Sequence, residues 1–187
     1  AISLTQADIY KGELILVNAE HPYFENLAKP NLVPAASGNA DILLEQNTAT
    51  HLSQVMEKIN GWQQIVPVSG WRSLKEQQDI FKQPLKDNGR TFVALPGKSE
   101  HQTGLAIDLG LKKESIDFIR PDFPYIGICQ QFREKSVPYG FIERYPREKE
   151  HITGIAHEPW HFRYVGTPHA EIMREHHFCL EEYIDFL

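Results

Sequence analysis

Cysteine is scarce in this chain: Cys129 and Cys179 are the only two among 187 residues. Two are too few for a disulfide framework or a cysteine-rich zinc site. Cys129 falls in an apolar helical pattern and reads as a small core residue. Long hydrophobic runs are missing as well. No stretch approaches the roughly 18 apolar residues of a membrane span, and no charged-then-apolar leader opens the sequence. Positive charge is not in excess; the formal net charge of −6 argues against nucleic acid or an anionic membrane as partner. No internal repeat, low-complexity tract or linker divides the chain. It therefore reads as one domain over 1–187, enough to bury about 70% of the surface its unfolded form exposes. The first residue is Ala1 rather than Met, so something has been cleaved or omitted. The expected location is the cytoplasm, or the cell envelope if an anchor precedes Ala1.

Three catalytic readings are excluded. His157-Glu158-Pro159-Trp160-His161 spells HExxH, but Pro159 breaks the helix that would put both histidines on one face, so the chain is not a zincin. Pro96-Gly97-Lys98-Ser99 lacks the glycine that a phosphate-binding loop needs four residues earlier, where Phe92 stands. No Gly-x-Ser-x-Gly elbow marks a serine hydrolase.

What is present is a pair of segments: Ser99-Glu100-His101-Gln102-Thr103-Gly104-Leu105-Ala106-Ile107-Asp108, and Glu158-Pro159-Trp160-His161. His101, Asp108 and His161 offer two imidazoles and one carboxylate. Around Zn²⁺ this set leaves a net charge near +1 and an open fourth position, which is what separates a catalytic zinc from a structural one. Such a zinc brings the pKa of its water to about 7, and Glu158, three residues before His161, would take that proton and pass it to a leaving group. Asp108 is a lone carboxylate in the apolar run 105–111, costly to bury unless paired or bound to a metal. Taken singly, each residue has a bland reading: a lone histidine hydrogen-bonds, and a lone strand aspartate pairs with arginine or backbone. The pattern alone leaves both readings open. Trp160 stands beside this chemistry, whereas Trp62 and Trp71 read as core or pocket wall.

Periodicity places the segments on elements. Residues 48–59 read as a helix, with Ala49, Leu52, Val55, Met56 and Ile59 on one face and Gly61 beyond its end. Residues 65–68 form a short strand running toward Arg72. Ser73-Leu74-Lys75-Glu76 is a capping box, so a helix starts just after Arg72, carries Gln77 in its first turns and runs to about Gln83. Tyr125, Ile128, Cys129 and Phe132 mark another helix, residues 139–143 and 162–165 look like strands, and helical patterns run from His169 onward. Strands and helices do not alternate regularly. The expected fold class is therefore α+β, a central antiparallel sheet flanked by helices. His151, His157, His169, His176 and His177 read as exposed side chains, and Glu181-Glu182 as the wet face of the last helix.

Ser-x-His-x-x-Gly-x-Ala-x-Asp followed by Glu-Pro-Trp-His resembles the zinc D,D-peptidases of the lysostaphin/D-Ala-D-Ala metallopeptidase/hedgehog group. The likeness is strongest to the VanXY-type and VanY-type vancomycin-resistance peptidases. Further matching pieces are Leu14-Ile15-Leu16-Val17-Asn18 with His21-Pro22, Ser69-Gly70-Trp71-Arg72-Ser73, Phe92-Val93-Ala94-Leu95-Pro96-Gly97 and Tyr139-Gly140-Phe141-Ile142-x-Arg144-Tyr145-Pro146. They run from near the N-terminus to Gly166 and cover most of the chain. The resemblance implies His101, Asp108 and His161 as zinc ligands, Glu158 as catalytic base and Arg72 as the cation that polarises the scissile carbonyl. It places Gln77 and Ser99 in the substrate pocket. Trp71 stands where such enzymes have Tyr, and Ser69 where close relatives often have Asp. Both departures bear on the pocket wall rather than the metal.

The implied activity is hydrolysis of the D-Ala-D-Ala dipeptide, or removal of the terminal D-Ala from peptidoglycan precursors, in glycopeptide resistance and cell-wall metabolism. Two alternatives belong to other classes: a peptidoglycan L,D-endopeptidase of the same group, and a non-catalytic zinc-stabilised binding module. Glu158 and Arg72 speak against the module, which needs neither a base nor an oxyanion partner. Residues 112–127, just after the metal strand, read as a lid that decides between dipeptidase and carboxypeptidase. Oligomeric state is not legible.

Overall fold

The computed structural model describes residues 6–24, 30–82 and 92–187. Its centre is a four-stranded sheet in the order β3 (Ile65–Ser69), β4 (Ala106–Leu111), β6 (His161–Tyr164), β5 (Phe141–Glu143), antiparallel at every step. A second, two-stranded sheet is the hairpin of β1 (Leu32–Ala36) and β2 (Asn39–Glu45). The class is α+β, as the irregular element order implies.

Side chains alternate across a strand with period two, and here the alternation separates core from chemistry. Ile107 and Leu109 of β4 and Phe162 and Tyr164 of β6 enter the main core. They meet Leu52, Val55 and Met56 of α1 (Gln46–Ile59) and Cys129 and Phe132 of α3 (Gly127–Lys135). The other face carries Asp108, which is paired in register with His161. A bulge between Pro67 and Ser69 shifts the β3 register, so that Ser69 pairs with Asp108. A bulge re-aims a side chain in this way, and it delivers Ser69 to the polar face. A second apolar cluster joins Leu14 and Leu16 to Ile142, Val165, Ala170, Met173, Leu180 and Tyr183. It seats α5 (His169–His176) and α6 (Leu180–Phe186).

Several local expectations hold and several shift. The capping box of α2 (Leu74–Phe81) is present, with both Ser73 and Glu76 bonding reciprocally; the proposed end near Gln83 lies outside the described residues. Helix α1 begins two residues earlier than its apolar pattern, because the Glu45 carboxylate accepts from the backbone N–H of Asn47 and Thr48. Residues 137–139 form a 3-10 turn rather than the start of β5. The short α4 (Glu150–Thr153) precedes the loop bearing Glu158.

Two readings of the C-terminal region are corrected. His169 is buried, not exposed, its Nδ1 2.8 Å from Tyr183 Oη. Glu181 and Glu182 are not a wet face: Glu181 accepts from both terminal nitrogens of Arg144 at 2.8 Å, and Glu182 holds Lys149 and the N–H of Cys179. In each case the partner is remote in sequence or hidden by the fold, so helical periodicity did not reveal it. His157 is likewise only part-exposed and contacts Tyr125 Oη at 2.7 Å, while His151, His176 and His177 are exposed as expected. Among the described residues, no helix is long and apolar enough to cross a membrane.

Candidate active site

The turn that ends β3 builds one wall of the site. Gly70 lies against the hairpin so closely that a Cβ would sit 2.3 Å from Leu43 O, and only glycine fits such an approach. Trp71 N–H bonds Leu43 O at 2.7 Å, and Arg72 N–H bonds His101 O at 3.1 Å. The segment carrying Arg72 is thus stitched both to the hairpin and to the loop before β4. That loop is a 3-10 turn, Glu100–Thr103, capped at its start by Ser99 and closed by Gly104 at φ +77°. A Cβ at Gly104 would meet Glu45 N at 2.9 Å.

His101, Asp108 and His161 converge from these elements, each 3–4% exposed, so their mutual charges act with little solvent screening. One potential ligand atom from each lies within 4.8 Å of the other two. The outer ring nitrogens decide which atoms face inward. His101 Nδ1 is 2.7 Å from Gly70 O, and His161 Nε2 is 2.8 Å from Glu100 Oε1. With both acceptors outside, His101 Nε2 and His161 Nδ1 are the nitrogens left to face Asp108, at 3.3 and 2.9 Å. Metal-binding histidines are oriented in this manner, by a carbonyl or carboxylate on the far nitrogen. Two nitrogens and one carboxylate suit zinc, with room for a fourth ligand, so the residues fit that ion.

Charges of both signs crowd together in the cluster. Burial disfavours the Asp108 carboxylate, but the two imidazoles outweigh it and hold the group well below its usual range. Burial also opposes a charge on His161, yet hydrogen bonds to Asp108 and Glu100 raise it to about 10. Glu158 Oε2 stands 3.6 Å from His161 Nδ1. Burial pushes the Glu158 carboxyl up to about 8, with His161 and Arg72 pulling the other way. Arg72 spends each guanidinium nitrogen on a different acceptor: Nε on Ser69 Oγ at 2.9 Å, Nη1 on Gln77 Oε1 at 3.1 Å and Nη2 on Asp108 Oδ2 at 3.2 Å.

The cleft over these groups is lined by Arg72, Ser99, Glu158, Trp160, Tyr145 and Phe92, among others. Ser99 and Trp160, which the sequence reading assigned to substrate, both line this cleft. Gln77 does not line the cleft. It is fully buried, with its amide nitrogen on Ala94 O at 2.8 Å and its amide oxygen accepting from Arg72. The segment 112–126 reaches the rim: Phe118 packs 5.4 Å from the Arg72 guanidinium, and Ile119 enters the cleft wall. A larger cavity of about 450 Å³, lined by Ile9, Ile15, Leu16, Phe24 and Leu105, lies elsewhere. Among the described residues, His101, Asp108 and His161 are the one cluster with metal-ligand geometry, so chemistry and not cavity size locates the site.

Sequence reasoning missed three buried ionic residues. Glu100, Arg144 and Arg163 form a network directly behind His161. The signal was present: a glutamate inside the histidine motif, one arginine inside the apolar strand β6 and another directly after β5.

The family described as VanY: D-alanyl-D-alanine carboxypeptidase matches residues 41–167. A bifunctional D-Ala-D-Ala dipeptidase and D-Ala-D-Ala carboxypeptidase of Enterococcus gallinarum, VanXYC, is 44% identical over 179 residues, covering 93% of this chain and 94% of that protein. Among solved structures, the vancomycin-resistance D,D-dipeptidase VanXYg in complex with a D-Ala-D-Ala phosphinate analogue superposes with a TM-score of 0.91 at 57% identity. It covers 98% of this chain and 74% of that one. A vancomycin-resistance D,D-pentapeptidase VanY in complex with Zn(II) gives a TM-score of 0.76 at 30% identity over 92% and 98% of the two chains.

Proposed function

Because the chain belongs to the VanY D-alanyl-D-alanine carboxypeptidase family, we propose that it is a zinc-dependent D,D-peptidase. It hydrolyses D-Ala-D-Ala and removes the terminal D-Ala from peptidoglycan precursors, and so contributes to glycopeptide resistance. One observation carries the reading: His101, Asp108 and His161 converge in a buried cluster with a further carboxyl, Glu158, and a cation, Arg72, in the same cleft. A binding module would need the first three alone. The reading treats residues 1–187 as a single peptidase domain. A free dipeptide substrate puts the action in the cytoplasm, where precursors are assembled.

His101, Asp108 and His161 would hold the zinc. When bound, the ion supplies Lewis acidity, polarising the scissile carbonyl and making water acidic enough to lose a proton near neutral pH. Glu158 takes the proton of the attacking water as the new C–O bond forms, then delivers it to the departing D-alanine nitrogen as the C–N bond breaks. A carboxyl raised by burial suits both halves of that exchange, since it neither holds the proton too weakly nor too tightly. Arg72 donates to the carbonyl oxygen, where negative charge grows in the tetrahedral state. Gln77 and Ser69 keep its fork aimed. Ser99 offers a hydroxyl to the substrate carboxylate, and Trp160 forms an apolar wall beside the small terminal side chain.

The test is release of D-alanine from the dipeptide D-Ala-D-Ala and from a pentapeptide precursor, measured side by side for the parent and Glu158→Gln. The parent releases D-alanine from both; the variant keeps its zinc and loses about 10²–10⁴-fold in turnover. Equal cleavage of L-Ala-L-Ala, or an active Glu158→Gln, overturns the reading.

A further inference from the structure

Glu100 is fully buried and plays no part in the chemistry just derived. Its Oε1 meets His161 Nε2 at 2.8 Å, while Oε2 accepts from Arg144 Nε at 3.0 Å and from Arg163 Nη1 at 2.9 Å. Both arginines are fully buried and fully used. Arg163 gives its remaining donors to the carbonyls of Tyr164, Glu13 and Ile15. Arg144 gives its two terminal nitrogens to Glu181 on α6, which also receives Asn18 Nδ2 at 3.2 Å. A ligand histidine is thus tied, through one carboxylate and two guanidiniums, to the N-terminal segment and to the C-terminal helix.

Stability alone does not account for this arrangement. Replacing a buried ion triad by apolar residues of similar volume is often neutral or stabilising, so these charges contribute little to the fold that simpler packing would not. What apolar packing cannot do is accept a hydrogen bond from His161 Nε2–H. An acceptor at that nitrogen fixes the tautomer and turns Nδ1 toward Asp108 and Glu158. The two guanidiniums keep Glu100 a carboxylate and fix where its oxygens lie.

We propose that Glu100 is a positioning residue for the zinc site: it orients His161 as a ligand through Nε2, with its own oxygens fixed by Arg144 and Arg163. The proposal rests on the zinc reading given above, and its test keeps the two apart. Zinc affinity is measured by competition with a chromophoric chelator for the parent, Glu100→Gln and Glu181→Gln, with melting temperature recorded for each. Glu100→Gln and Glu181→Gln each take one carboxylate from Arg144, but only the first alters the partner of His161: with the single amide oxygen drawn to the Arg144 and Arg163 guanidiniums, the amide NH2 is what faces Nε2. Glu100→Gln is expected to bind zinc about 10–100-fold more weakly, and Glu181→Gln within about threefold of the parent, whatever their melting temperatures. Parental affinity in Glu100→Gln, or equal losses in both variants, overturns the positioning role. A parent that binds no stoichiometric zinc overturns the zinc reading instead. If Glu100→Gln does not fold, Glu100→Asp serves: it keeps the charge for the arginines, but its shorter arm cannot span to His161 at the same time. It should fold and still bind zinc more weakly, and parental affinity there counts against the proposal.

Discussion

At the scale of single residues, Arg72 is where structure and catalysis are hardest to separate, because its guanidinium both pairs with Asp108 and faces the cleft. Its three acceptors lie around one plane, each served by a different nitrogen. Burial lowers its pKa, with Asp108 and Glu158 opposing, yet arginine stays charged at any pH where the protein folds. A lysine keeps that charge but offers a single point, so it cannot satisfy Ser69, Gln77 and Asp108 and still reach a carbonyl. Arg72→Lys should therefore lower turnover by about 10²–10³-fold, with zinc content unchanged. Steady-state kinetics beside metal analysis checks this. A variant with normal turnover and a lowered melting temperature would leave Arg72 a structural ion pair.

At the scale of elements, α5 and α6 carry a pH dependence. His169 is buried at the start of α5 against Tyr183 of α6, and burial lowers its pKa below the usual value. The unfolded chain takes up a proton at this histidine near pH 6.5, whereas the folded one resists it. As pH falls below about 6.5 the unfolded state therefore binds more protons, and stability declines. His169→Gln should show a smaller fall in melting temperature between pH 7.5 and pH 5.5 than the parent; parallel curves would rule His169 out as a contributor. The same elements show what a sequence can and cannot disclose. Capping signals act over three residues, so the box at Ser73 and Glu76 was legible, as were the apolar stripe of α1 and the buried run of β4. The partners of Glu181 and His169 come from other elements, and the bulge that turns Ser69 toward Asp108 has no local signature. In the site, His101, Asp108, Glu158 and His161 were legible because two short motifs hold them. Glu100 lies inside one of those motifs, but Arg144 and Arg163, which give it its role, are 44 and 63 residues away.

At the scale of the whole molecule, folding gathers ligands far apart in the chain: His101 from the turn before β4, Asp108 from β4 and His161 from β6, with potential ligand atoms within 4.8 Å of one another. The native state is thus built to accept a divalent cation, while the unfolded chain scatters the same ligands. A ligand that binds only the native state at 100 times its Kd stabilises it by about 2.7 kcal/mol. For a chain of this size each kcal/mol moves Tm by about 2–4 °C, so saturating zinc should raise Tm by about 5–11 °C over chelator-treated protein. Magnesium should give no comparable shift, since it prefers six oxygen ligands and this cluster offers two nitrogens and one carboxylate. Asp108→Asn keeps the shape but removes the only carboxylate of the ligand set, and should abolish most of the zinc shift. Differential scanning fluorimetry on the four combinations of metal and variant decides it. A zinc shift that survives in Asp108→Asn would place the metal somewhere other than between β4 and β6.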